Sequence, residues 1–347
     1  MAGTALARAG QRLARHFRLD KLRGIEFTAI VDPNTELAHA KVAEYSQGPN
    51  GHKWKNAEVF KNYASMLESQ NHKPDAAFIG LPPEHHGSID DPGSDIEVKL
   101  AEAGIQKNLI IAVGYMLRYN PAVEVTKRIL AENDTPLACL IGRYTATYNH
   151  IRKRSWWDLD MSGGTIVEQA THFVDLMRYF GGEIVQDSIL AAAVGPNYPL
   201  ASMAPHPEGE NLVPMDRRVN RVTSATFHFD RGAVGSLTHT CLMHEQNFFT
   251  TFELMADGMH LIIGDPYNTP TLKYRRKHSN EYEDVPLDTN KDMYVHQFEG
   301  FLEAVRTQDE KHIRCPYASA SLTYQASQWI TSVANKNRSP VDWSKQN

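Results

Sequence analysis

Ser162-Gly163-Gly164-Thr165-Ile166-Val167-Glu168-Gln169-Ala170-Thr171-His172-Phe173-Val174-Asp175-Leu176-Met177-Arg178-Tyr179-Phe180-Gly181-Gly182 decides the reading of the fold. From Gly163 to Phe180 apolar residues recur at helical spacing, and the two opening glycines permit close backbone approach where the helix begins. Glu168, His172 and Asp175 stand four and three residues apart, which sets them along one helix face. An imidazole oriented by a carboxylate suits the transfer of a substrate hydroxyl proton. A buried histidine that only packs and hydrogen-bonds fits the same spacing.

Upstream of this helix, short apolar runs alternate with helical patterns. Residues 25–32 read as a strand rich in β-branched side chains, ended by the turn chemistry of Asp32-Pro33-Asn34. Residues 35–46 and 61–70 read as helices, and 75–81 as a second buried strand closed by Pro82-Pro83. A helix over 94–104 and a third strand over 109–113 follow. Such alternation predicts a parallel sheet wound with helices.

Downstream of residue 137 the rhythm changes. Residues 137–148 are strand-like. Residues 222–229 and 233–240, joined by Asp230-Arg231-Gly232, predict one hairpin, and 248–255 with 259–263 predict another. Consecutive hairpins predict an antiparallel sheet with one face free to cover something. Residues 293–306 and 318–334 are the last helices, and 200–218 is the expected mobile loop. The expected fold is an α/β Rossmann-like N-terminal domain over residues 1–120, shortened, followed by an α+β C-terminal domain over 121–347. The second domain carries an open, mostly antiparallel sheet, and the last helices pack back on the first domain.

Asp32 stands at the carboxyl end of an apolar strand. In dinucleotide-binding folds an acid there accepts hydrogen bonds from ribose hydroxyls and repels a 2′-phosphate. Asp-Pro-Asn is equally a common turn. Gly3 and Gly10 do not make the glycine fingerprint of such folds, and no apolar strand is legible before Gly3. The first strand is therefore expected to be missing. Residues 1–19, with arginines, leucines and no acid, read as a first surface helix or as a mitochondrial presequence. Leu81-Pro82-Pro83-Glu84-His85-His86 follows a buried strand, where open α/β sheets bind ligands; a rigid turn is the alternative.

Together these residues resemble the Gfo/Idh/MocA family of NAD(P)-dependent oxidoreductases, over nearly the whole chain and in the family's motif order. Gly163 to Gly182 is similar to the G-G-G-x-x-x-D-x-G-x-H-x-x-D helix, in the branch that reads E-Q-x-T-H-x-x-D-L-x-R-Y. Val113-Gly114-Tyr115-Met116-Leu117-Arg118-Tyr119-Asn120-Pro121 resembles the segment entering the second domain. Leu81-Pro82-Pro83-x-x-His86 resembles the T-P-P-x-x-H loop, and Ser155-Trp156-Trp157-Asp158 a segment lining the site. The resemblance implies that His172 transfers the proton and that Glu168 touches substrate. It implies cofactor contacts from Asp32, Leu81, Pro82, Pro83, His86 and Trp157, substrate contacts from Tyr115, Arg118 and Asp175, and no metal. The implied cofactor is NAD or NADP, with Asp32 favouring NAD. Implied substrates are sugars, cyclitols and related polyols, handled by a homodimer or homotetramer.

One further departure concerns the family's E-K-P motif, whose lysine lowers the barrier electrostatically. Here Ala101-Glu102-Ala103-Gly104 is followed almost at once by the apolar run 109–113, so a strand and a helix have dropped out. If residues 109–113 take the place of the missing strand, Tyr115 and Arg118 reach the edge where that lysine stands.

At 347 residues the chain suits two domains. A net charge of −5 and a pI near 6.3 argue against partners such as nucleic acid or anionic membrane, and no apolar run reaches bilayer length. Cys139, Cys241 and Cys315 fit neither a disulfide framework nor a zinc site. Such thiols suit a reducing compartment, which favours the cytoplasm, with the mitochondrion as the presequence alternative. Two functional readings follow: a dehydrogenase or reductase, and a non-catalytic relative that senses a ligand or binds a partner. The missing lysine and phosphate loop favour the second; the retained Glu168, His172 and Asp175 favour the first.

Overall fold

The computed structural model describes residues 2–7, 20–69, 74–79, 108–149, 151, 153–200, 209–244, 248–290, 292–341 and 343, with backbone alone for 2–7, 63, 67 and 79. The chain divides into two compact units, each built from separated stretches. Unit 1 comprises residues 1–86, 100–112 and 294–314; unit 2 comprises 87–99, 113–293 and 315–347. The main helices are α1 (Thr35–Ser46), α2 (Tyr63–Glu68), α3 (Pro121–Asn133), α4 (Thr171–Gly181), α5 (Met293–Thr307) and α6 (Tyr317–Lys336).

Unit 1 holds a parallel sheet of β1 (Ala2–Ala7), β2 (Ile25–Val31), β3 (Glu58–Phe60) and β4 (Ala76–Ile79), in the order β3-β2-β1-β4. That order is the one found at the heart of dinucleotide-binding sheets. The expectation that the first strand is missing is thus corrected, as is a helix over residues 2–7. Alanine and glycine give β1 little intrinsic strand preference, so no strand was legible there. Pairing along both edges, to β2 and to β4, makes it one. The side chains of Asn34 and Asn62 cap α1 and α2 by accepting from the Leu37 and Ser65 N–H groups. Phe27 stacks on Trp54 at 3.8 Å, and Leu22, Ile25, Ile30 and Leu302 of α5 close the same core.

Residues 109–113 do not form the expected strand. Leu109 is 59% exposed, and residue 112 alone makes a bridge. An apolar run of this length carries no mark of its own that separates strand from irregular chain. The expected helix over 94–104, residues 8–19, the loop Leu81 to His86 and residues 201–208 lie outside the described residues.

Among the described residues unit 2 carries eight strands: β5 (Leu137–Thr147), β6 (Leu190–Val194), β7 (Val222–His228), β8 (Val234–Met243), β9 (Phe249–Ala256), β10 (Met259–Gly264), β11 (Thr271–Arg275) and β12 (Glu283–Asp284). Their order is β12-β11-β10-β9-β5-β8-β7-β6, antiparallel at every pair except β5 with β8. The two expected hairpins are β7–β8 and β9–β10. Leu140, Tyr144, Leu237, Phe252 and Leu254 are buried on one face. A Cβ on Gly142 of β5 would lie 3.0 Å from Met177 Cε and 3.1 Å from Phe173 Cδ1, so this glycine lets α4 settle onto that face. On the other face the register aligns Ile141, Glu253 and Ile262, all half-buried. No helix among the described residues is long and apolar enough to cross a membrane.

Candidate active site

The stretch that opened the sequence reading folds in two pieces. Gly163 and Gly164 take φ of +71° and +97°, in the region that favours glycine, and release the chain into a turn where the Glu168 N–H donates to the Gly164 carbonyl at 2.9 Å. Ile166 to Ala170 form a π-turn, and α4 starts at Thr171. The helical period is therefore interrupted, in place of the continuous helix expected. Glu168 lies in the wider turn and His172 in the first turn of α4, both half-buried, while Asp175 is fully buried. Such one-turn π segments recur at functional sites.

Two tyrosines flank His172. The Tyr115 ring meets the imidazole edge-on at 5.6 Å between centroids, and the Tyr267 ring does so at 6.0 Å. The Tyr115 hydroxyl shares a hydrogen bond of 2.8 Å with Thr171 Oγ1. Burial pushes the Tyr115 phenol up from its ordinary value, and the Thr171 bond opposes that shift without cancelling it. The upward shift favours the protonated phenol, whose hydroxyl is engaged with Thr171.

Arg118 and Asp175 meet each other. Arg118 Nε and Nη2 donate to the two carboxylate oxygens at 2.8 and 2.7 Å, and Thr323 Oγ1 donates to Oδ1 at 3.0 Å. Arg118 is 4% exposed and Asp175 0%. Burial works against the Arg118 charge, and the hydrogen-bonded carboxylate outweighs it, so the guanidinium pKa is raised. Both oxygens of Asp175 are thus engaged within the protein. Arg178 extends the cluster, donating to Ser319 O at 2.6 Å and pairing with Glu183 through two bonds of 2.7 Å. This network fastens α4 to α6 and to the 3₁₀ turn Met116–Tyr119, whose position follows from Asn120 capping α3 ahead of Pro121.

Trp157 is fully buried. Its Nε1–H donates to Ile151 O at 2.9 Å, and the Arg221 guanidinium lies over its ring at 5.4 Å. Unit 2 thus brings Tyr115 to His172 and Arg118 to Asp175 on the one helical stretch that also carries Glu168. Asp32 belongs to unit 1. It ends β2, anchored by its N–H to Phe60 O at 2.9 Å, and its Oδ1 accepts from the Asn34 N–H at 2.8 Å. Asp32 is 2% exposed, and among the described residues its Oδ2 has no hydrogen-bond partner. A buried carboxylate oxygen in that condition needs a donor. A ribose hydroxyl supplies one, so the residue fits the adenosine half of a dinucleotide. Among the described residues no group of three His, Cys, Asp or Glu is placed to hold a metal ion.

Sequence reasoning missed one further contact. His239 Nε2 and Gln169 Oε1 lie 2.8 Å apart, tying β8 to the π-turn. Gln169 lies within the motif from Gly163 to Gly182, but a single histidine in a strand of alternating residues gives no signal.

A parallel sheet in the order of dinucleotide-binding folds in one unit, and in the other an open sheet carrying a helix with a flanked histidine, define a two-unit oxidoreductase of the Rossmann-like class. Residues 118–259 match the family model described as "Putative oxidoreductase C terminal domain". The uncharacterized protein UNK4.17 of Schizosaccharomyces pombe is 32% identical over 337 residues, which cover 88% of this chain and 82% of that protein. A second protein of that yeast, C12C2.04, is 29% identical over 90% of both chains. Among solved structures, levoglucosan dehydrogenase in complex with NADH superposes with a TM-score of 0.71 at 17% identity, covering 97% of this chain and 98% of that one. UDP-N-acetylglucosamine 3-dehydrogenase from Acidithiobacillus ferrooxidans gives a TM-score of 0.70 at 16% identity, covering 96% and 98%. The chain belongs to the Gfo/Idh/MocA family of NAD(P)-dependent oxidoreductases.

Proposed function

We propose that this protein oxidises a sugar- or polyol-like alcohol, or reduces the matching carbonyl, with NAD favoured over NADP. The observation that carries the cofactor reading is the buried, unpartnered Oδ2 of Asp32 at the carboxyl end of β2. When bound, a nicotinamide accepts the hydride from the carbinol carbon. His172 takes the hydroxyl proton as the carbonyl forms, and returns it in the reverse direction. Glu168, one turn away, accepts a hydrogen bond from substrate. Tyr115 holds the start of α4 through Thr171, and the Arg118–Asp175 pair positions the same helix from within. Leu81, Pro82, Pro83 and His86 complete the cofactor side of the proposal; Trp157, with no surface exposed and its indole N–H bonded to Ile151 O, packs within unit 2 instead. The open sheet face bearing Ile141 and Ile262 is the proposed contact of a homodimer or homotetramer.

The test is a titration of the purified protein with NADH and NADPH, followed by fluorescence or heat. Saturable binding that prefers NADH, weakened about 10-fold or more in Asp32→Ala by loss of a hydrogen bond to a charged group, supports the reading. Turnover of a sugar or polyol that disappears in His172→Ala then assigns the proton-transfer group. A cooperatively melting protein that binds neither cofactor at millimolar concentration overturns the proposal in favour of a non-catalytic ligand sensor.

A further inference from the structure

His239 is a buried histidine that the proposed reaction does not use. It lies on β8 at 0% exposure, and its Nε2 meets Gln169 Oε1 at 2.8 Å. Its Nδ1 is buried with no partner. That asymmetry selects the tautomer. A proton on Nδ1 would leave a buried N–H with no acceptor, whereas a proton on Nε2 donates to Gln169 and leaves only a lone pair unmet. Burial lowers the His239 pKa to about 3, so the ring stays neutral and the donor stays in place across the physiological range.

Gln169 sits in the π-turn, directly between Glu168 and the residues that start α4. A π-turn is a rare arrangement that persists where neighbouring structure holds it. His239 also reaches His172 through a second route. It stacks on Tyr144 at 5.3 Å, Tyr144 meets Tyr267 at 5.7 Å, and Tyr267 meets the His172 ring at 6.0 Å. From His239 the hydrogen bond reaches Gln169, next to Glu168, and the ring relay reaches His172.

We infer that His239 and Gln169 are positioning residues: a neutral strut from the sheet that sets the π-turn and thereby the placing of Glu168 and His172. The inference rests on the proton-transfer role proposed for His172, and its test has an arm that does not.

The variants are His239→Leu, His239→Gln and Gln169→Leu. In the first arm, histidine Cε1 resonances are followed by NMR as pH is varied, with His172 assigned by its loss in His172→Asn. The expected result is that His172 titrates about half a pH unit or more away from its wild-type position in both leucine variants, and within experimental error of it in His239→Gln. In the second arm, a substrate found in the polyol screen is used. The leucine variants are expected to lose about 10- to 100-fold in kcat/KM with NADH affinity within about twofold, since displaced groups at the reacting end cost rate and substrate contact but not cofactor binding. His239→Gln, whose carboxamide offers an N–H to Gln169, is expected to recover to within about threefold. Leucine variants that melt like wild type and leave His172 titration unchanged overturn the inference, as does equal loss in His239→Gln and His239→Leu. If His239→Leu does not fold, Gln169→Leu carries both arms. If no polyol is turned over, the NMR arm still decides the strut, and the failure belongs to the proposed activity.

Discussion

At the scale of single residues, the site depends on buried polar groups whose partners are fixed. Asp175→Asn removes the charge that faces Arg118 in a site where neither residue is more than 4% exposed. An uncompensated buried guanidinium costs about 3–5 kcal/mol, so the variant should unfold at markedly lower urea concentration than wild type. Replacing both partners, Arg118→Met with Asp175→Leu, should cost less than that single change. His239 gives a pH dependence of known sign. Its folded pKa of about 3 lies below the ordinary 6.5, so below pH 6.5 the unfolded chain binds a proton that the folded one refuses. Stability should therefore fall as pH drops from 6.5 towards 3, by up to about 1.4 kcal/mol per pH unit from this group. Urea melts at pH 7, 6 and 5 measure the slope, and His239→Gln should flatten it. The residues of the site were legible in different degrees. His172, Glu168 and Tyr115 stood in motifs, whereas the mutual capture of Arg118 and Asp175 needed the chain fold, because 57 positions separate them.

At the scale of elements, the sequence named most helices and hairpins correctly, and its errors share one cause. β1 has Thr4 as its one β-branched residue, and 109–113 has an apolar run, so local preference pointed the wrong way at both. Pairing on two edges decides the first; exposure of Leu109 marks the second. The π-turn was invisible for another reason. A break in winding between Ile166 and Ala170 barely disturbs an apolar pattern that extends to Phe180. The seat of α4 on the sheet makes its own prediction. Gly142→Val drives a branched side chain into Met177, Phe173 and Leu237, each within 3.2 Å of the new Cβ. Overpacking of this kind costs about 1–3 kcal/mol and should displace α4. A lowered melting temperature with a greater proportional loss of turnover than of NADH affinity is expected.

At the scale of the whole molecule, the exposed side of the eight-stranded sheet is where copies of the chain are proposed to meet. Ile141 and Ile262 flank Glu253 across β5, β9 and β10. Ile141→Glu places two carboxylates in adjacent register on that face, which opposes close approach of a second copy. Light scattering on a sizing column should then report a smaller assembly than wild type, with cooperative melting retained. An unchanged mass would locate the assembly surface elsewhere.

The two units are interleaved along the chain, and this has a consequence for biosynthesis. Strands of unit 1 are translated before unit 2, yet Leu302 and its neighbours Val295, Phe298 and Phe301, which pack against the cluster of Leu22, Ile25 and Phe27, are translated only after residues 113–293 of unit 2. Unit 2 in turn waits for residues 315–347, which include the Ser319 and Thr323 partners of its buried arginines. Neither unit can be released by a single cut or expressed as one uninterrupted piece. The nascent chain must keep an incomplete apolar wall in solution until residues 294–314 have been made, the interval in which exposed apolar surface invites aggregation.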